Sequence, residues 1–168
     1  SAFKIVTFDV VGTLIDFEGG ILGYLRKSGA APSSLSDDAI LDAYRASRTA
    51  GKTWRYPDDL ERAYFDLVRD VHLKDSPALA RGFRDSAEQW PAFPDSVEAL
   101  QRLGGRYRLV AMTNAQRWAL DHFARKLGNP FEQVQNQFSK NHTGSGLGLA
   151  ISRSLAEMHG GALKIRSR

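Results

Sequence analysis

Three short stretches carry side chains able to do chemistry. In KIVTFDVVGTLID, Asp9 ends a run rich in apolar and β-branched residues, and Gly12 follows. A carboxylate at the end of a buried strand, held by backbone N–H groups, stays ionised and oriented, which suits nucleophilic attack better than general-base work. In LVAMTN, Thr113 and Asn114 lie just past a second apolar run. Thr113 offers a hydroxyl, while Asn114 offers an amide that can also cap a helix starting near Ala115. In HTGSGLGLAISRSLAEMHGG, Gly144, Gly146 and Gly148 precede a helical pattern, where free backbone amides and the helix dipole favour a phosphate. Each stretch also has a plainer role, Asp9 as a turn or cap residue and the glycine loop as a packing element.

The elements that must position these groups follow from hydrophobic periodicity. Phe3 to Phe8 reads as a buried strand that leaves into a turn at Asp9. From Ile21 to about Gln89 the spacing is helical, in ILGYL, AILDAYRA and LERAYFDLV, with breaks at Gly29 to Ser36, Gly51 to Pro57 and Lys74 to Pro77. That predicts an all-α lobe of three or four helices. Pro91 and Pro94 stiffen a linker, Asp95 or Ser96 can cap a helix to about Leu103, and Arg106 to Met112 contains the second strand. A helix to about Leu127 follows, then the polar QVQNQFSKNHTGSG, a helix from about Leu147 to Met158 and a last strand from Ala162 to Arg166. Strands alternating with helices predict an α/β fold with a parallel sheet, whose ligands bind beyond the carboxyl ends of the strands. Asp9 and Thr113 both occupy such positions.

Composition narrows the classes. A chain of 168 residues with 42% hydrophobic content, three Trp and nine Phe is enough for one domain with a small inserted lobe. The absence of cysteine excludes disulfides, Cys-based zinc sites and thiol nucleophiles, and fits a reducing, cytoplasmic setting. No apolar run approaches the ~20 residues of a membrane helix, and no signal peptide is recognisable. A net charge of +4 comes from Lys and Arg interleaved with acids on helical stretches, which predicts solvated faces and no nucleic-acid partner.

FDVVGTLID resembles the first motif of the haloacid dehalogenase superfamily, and Thr113-Asn114 after LVAM resembles its second, over residues 1–131 in all. The helical stretch between them is similar to that family's cap. The resemblance implies a Rossmann-like parallel core (1–16 and 91–131) with an inserted all-α cap lobe (17–90). It further implies that Asp9 attacks the substrate and forms a covalent ester that water opens, and that Thr113 bonds the charged centre. Asn114 then contacts a departing halide, and an Arg of the early cap, Arg45 or Arg48, grips a substrate carboxylate. Val11 and Gly12 line the substrate side. The family's phosphatases carry an acid two residues after the nucleophile to protonate the leaving group, and Val11 can move no proton. A halide leaves without one, so Val11 favours carbon–halogen cleavage of a small-molecule carboxylate over phosphoester hydrolysis. The dehalogenase branch usually carries Tyr there, which leaves the substrate identity open.

The family's third motif, with its Lys, and its acidic fourth motif are not recognisable. Lys140 is the candidate after the second motif for a lysine that reaches Asp9, and the acids beyond Asn114 are Asp121, Glu132 and Glu157. Asp9 with the Val11 carbonyl is a poor set for Mg²⁺, so no cofactor is expected. Residues 131–168 instead resemble the end of a sensor histidine kinase ATP-binding domain, TGSGLGLAI matching its second glycine box. The Asn-bearing helix and the DxGxG loop that hold Mg²⁺ and adenine in that family are missing, so ATP binding at Gly144, Gly146 and Gly148 stands as an alternative to plain packing. The chain therefore reads as a chimera or fusion, its final helix and strand coming from an unrelated family, with activity impaired by the lost motifs. A tail that misses its own sheet could pair with another copy in a homodimer.

Overall fold

A computed structural model describes residues 4–48 and 55–132 of the chain. Strand β1 (Ile5–Phe8) and strand β2 (Arg108–Ala111) pair in parallel, Ile5 with Arg108 through Phe8 with Ala111. Between them run α1 (Phe17–Lys27), α2 (Asp37–Arg48), α3 (Leu60–Val71) and α4 (Pro77–Asp85), a 3-10 turn at Ser86–Gln89, and α5 (Ser96–Gly104). Helix α6 (Arg117–Lys126) follows β2. This is the α/β class with a parallel sheet and a helical lobe between its strands. Lys140 and the glycines Gly144, Gly146 and Gly148, with the whole expected tail helix and strand, lie outside the described residues.

The boundaries differ from the expected ones for local reasons. Helix α1 begins at Phe17 rather than Ile21 because the Asp16 carboxylate accepts the Gly19 amide at 2.9 Å, a side-chain cap that the following glycine pair conceals in the sequence. Strand β2 starts late because the Arg106 and Tyr107 amides turn back to the Leu103 carbonyl. Helix α6 starts at Arg117, not near Ala115, because the Gln116 amide donates to the Tyr56 carbonyl at 2.7 Å. Gln116 holds its N-cap position, so Asn114 is not the cap of this helix. Asp95 stands at the N-cap of α5 without a side-chain bond to it.

One apolar cluster spans the lobe and the sheet. Trp90, at 1% exposure, is its hub: its ring is stacked on Phe123 at 6.3 Å and tilted against Phe17 and Tyr56 at 6.4 and 6.1 Å. Tyr64 and Phe83 are fully buried and close the α3–α4 side, and their rings meet at 5.8 Å. Each such aromatic is worth roughly 1.5–3 kcal/mol in area removed from water. Gly20 allows α1 to lie directly against Trp90, since a Cβ there would fall 2.2 Å from Cδ1 of the indole. Among the described residues no helix is long and apolar enough to cross a membrane.

Candidate active site

The parallel register fixes where the motif residues emerge. Phe8 and Ala111 form the last pair, so Asp9 and the Met112–Thr113 step leave the sheet at the same carboxyl edge, and the Met112 amide donates to the Phe8 carbonyl at 2.7 Å. Past Asp9 the chain folds into a tight turn: Leu14 and Ile15 amides both donate to the Val10 carbonyl at 2.9 Å, and Gly12 takes φ +90°, a left-handed value open to glycine. The Gly12 amide then donates to the Ile15 carbonyl at 2.8 Å. Val10 and Ile15 are fully buried, which anchors the turn while leaving Asp9 exposed.

The turn carries a residue that sequence reasoning missed. Thr13 Oγ1 donates to Asp9 Oδ2 at 3.0 Å, and among the described residues this hydroxyl, rather than the backbone amides expected from the sequence, holds the carboxylate. The i, i+4 spacing of Asp9 and Thr13 across a glycine was the available signal. On the second loop, the Ala115 amide donates to Thr113 Oγ1 at 3.2 Å, so the half-buried Thr113 hydroxyl is fixed by its own loop, and Asn114 is exposed.

The two cap arginines have different surroundings. Arg45 is turned to two acids, Glu18 at 2.7 Å and Asp42 at 2.9 Å, with its side chain 55% exposed. The Glu18 hydrogen bond chiefly raises its already high pKa. Arg48 pairs with Asp59, whose side chain is 2% exposed, and its guanidinium lies 5.4 Å from the Tyr56 ring centroid and 6.0 Å from that of Tyr44. Each of these two rings is linked to one strand-end loop. Gly12 abuts Phe17, whose ring meets Tyr44 at 6.0 Å, and Ala115 is bridged to Tyr56. Burial pushes the Tyr44 phenol up to about 12 and the Tyr56 phenol well above the usual tyrosine value, so both stay neutral donors at ordinary pH. Asp59 Oδ1 is buried without a hydrogen-bond partner among the described residues.

Beyond the arginines, Asp58 is bonded to Gln116 and Arg84. Partial burial raises its pKa, yet the hydrogen bonds from Gln116 and Arg84 outweigh it and the net shift is downward. A cleft of about 550 Å³ beside β2 and α6, lined among others by Ala111, Arg117, Asp121, Arg125, Phe131 and Glu132, includes none of Asp9, Thr113 and Arg48. Among the described residues no group of three or more His, Cys, Asp or Glu side chains could hold a metal ion.

Comparison with known proteins bears on the family and the fold. Residues 3–149 match the haloacid dehalogenase-like hydrolase family. An L-2-haloacid dehalogenase from Xanthobacter autotrophicus, solved with chloropropionic acid covalently bound, superposes with a TM-score of 0.68 at 14% identity, over 92% of this chain and 65% of that one. A defluorinating L-2-haloacid dehalogenase gives 0.67 at 18%, over 91% and 68%. At such identities the likeness is one of fold. Short matches point elsewhere: a sensor-like histidine kinase of Rhizobium meliloti is 51% identical over 41 residues, and the non-motile and phage-resistance protein of Caulobacter vibrioides 55% identical over 42. Those stretches are 24% and 25% of this chain but only 8% and 5% of the curated relatives.

Proposed function

This chain belongs to the haloacid dehalogenase-like hydrolases, and on that premise we propose that Asp9 is its nucleophile and that the substrate is a small 2-haloacid. The observation that carries the proposal is Asp9 itself, exposed at the carboxyl end of β1 with Oδ2 held by Thr13 and with Val11 where a phosphatase needs an acid. Oδ1 is left to attack the halogen-bearing carbon: the C–O bond forms as the carbon–halogen bond breaks, and the halide departs with the electron pair and needs no proton. Water then attacks the ester carbonyl, releases a 2-hydroxy acid and regenerates the carboxylate, its extra proton passing to solvent.

Arg48 is the better anchor for the substrate carboxylate. It is flanked by two neutral phenol rings that link to the two loops and is paired with a single acid, Asp59, whereas Arg45 is more exposed and already serves two, Glu18 and Asp42. Thr113 faces the same edge as Asp9 and donates to the charged centre, with Asn114 beside the departing halide. Activity is impaired in this reading, with Lys140 the lysine offered in place of the family's third motif, and the ester on Asp9 is the species to look for.

The test is incubation of the full chain with 2-chloropropionate, followed by halide assay and intact mass. The expected result is about one halide per chain and a mass gain equal to the acid less its halide, placed on Asp9 by peptide mapping. No halide from the native chain, or as much from Asp9→Asn, overturns the mechanism. The histidine kinase matches support a second element of the proposal, that the chain is a fusion, and its tail is assigned no nucleotide site because the Asn-bearing helix and DxGxG loop are missing from the sequence. Saturable binding of a fluorescent ATP analogue, lost on Gly146→Val, would refute that part.

A further inference from the structure

The loop carrying Thr113 and the cap segment preceding α3 are joined by more bonds than backbone continuity or apolar packing requires. Ala115 is bridged to Tyr56, and the Gln116 amide donates to the Tyr56 carbonyl at 2.7 Å. The Gln116 side chain then reaches one residue further: Nε2 donates to Asp58 Oδ2 at 2.8 Å, while the Asp58 amide donates to Oε1 at 3.2 Å. Arg84 of α4 takes the other carboxylate oxygen of Asp58, at 2.7 Å, and stacks over the Trp118 ring at 5.0 Å. Both ends of this joint adjoin the site. Ala115 fixes the Thr113 hydroxyl, and Asp59, the neighbour of Asp58, is the buried partner of Arg48.

We propose that Gln116 is a positioning residue which, through its paired hydrogen bonds with Asp58, makes the Thr113 loop and the Tyr56–Asp59 segment one unit, so that Thr113 and Arg48 keep a fixed spacing across the site. The assignment rests on the reading of Thr113 and Arg48 given above. Glutamine is required by the pattern itself, since one amide atom must accept from a backbone N–H and the other must donate to a carboxylate. A glutamate would keep the first bond and set two carboxylates against each other in the second.

The experiment uses the full chain and two readouts, amide hydrogen exchange and single-turnover alkylation by 2-chloropropionate. Gln116→Glu is expected to speed exchange at residues 56–59 and at 113–116 together and to slow alkylation about tenfold, the loss of one hydrogen bond to a charged group. The Asp58→Asn/Gln116→Glu double variant exchanges donor and acceptor and is expected to restore both. Should Gln116→Glu fail to fold, Gln116→Ala is expected to show the same joint loosening. Unchanged exchange at either segment, or no recovery in the double variant, overturns the proposal. Absence of alkylation in the native chain refutes the nucleophile assignment instead, and exchange alone then decides whether the joint exists.

Discussion

Thr13 Oγ1 stands 3.0 Å from Asp9 Oδ2, so a hydroxyl four residues on fixes one oxygen of the strand-end carboxylate and leaves the other open. The pairing is local, produced by the turn that returns the chain to the Val10 carbonyl. Thr13→Val keeps the shape and removes the donor. Alkylation by 2-chloropropionate is expected to fall about tenfold, and circular dichroism to remain native, because the bond is solvent-exposed and its part in stability is small. An unchanged rate would mean that Thr13 only closes the turn.

Arg45 and Arg48 separate by a pair of truncations. Arg48→Ala leaves the carboxylate of Asp59 buried and alone, and urea unfolding is expected to show a loss of about 2–3 kcal/mol. Arg45→Ala breaks only exposed pairs and is expected to leave the urea midpoint in place. For substrate, the Arg48 change raises the concentration needed for half-maximal alkylation and the Arg45 change does not. The opposite order would return the anchor role to Arg45.

Two glycines of α1 give opposite outcomes with the same substitution. Gly20→Ala forces a methyl to 2.2 Å from Trp90, whose ring is hemmed in by Phe17, Tyr56 and Phe123, and is expected to cost about 1–3 kcal/mol. Gly23→Ala meets nothing within 4 Å and gains roughly 0.5–1 kcal/mol of helix propensity. Thermal melts of the two variants check both signs.

Alkali should weaken the fold through its buried phenols. Tyr44 rises to about 12 and Tyr56 is raised as well, so the stability Tyr44 holds is complete below pH 10 and is lost as pH climbs from 10 through 12. Melting temperature is expected to decline across that window, and Tyr44→Phe to flatten part of the decline. Phenolate absorbance from Tyr44 in the folded protein at pH 10 would contradict the burial described.

Asp9 and Thr113 were legible in the sequence because an apolar, β-branched run ending in a polar residue marks a strand end, and two such runs imply a shared sheet edge. The helical lobe was legible from spacing alone. Thr13 was not, since its role depends on a turn closing on itself. Arg45 and Arg48 lie three residues apart on one helix, and only the tertiary placement of Glu18 and Asp59 distinguishes them. Asn114 looked like a cap because nothing in its neighbourhood shows that Tyr56 claims the Gln116 amide, and the Gln116–Asp58 joint likewise links residues far apart in the chain.

The pairing of Ile5 with Arg108 also sets an order of events in folding. Two parallel strands separated by most of the described chain cannot find each other until the intervening loop is shortened, and the helices, whose contacts are local, are what shortens it. The sheet edge that presents Asp9 is therefore expected to form after the helices. Mutations inside the helices should slow refolding, whereas those at the strand pairing should chiefly hasten unfolding.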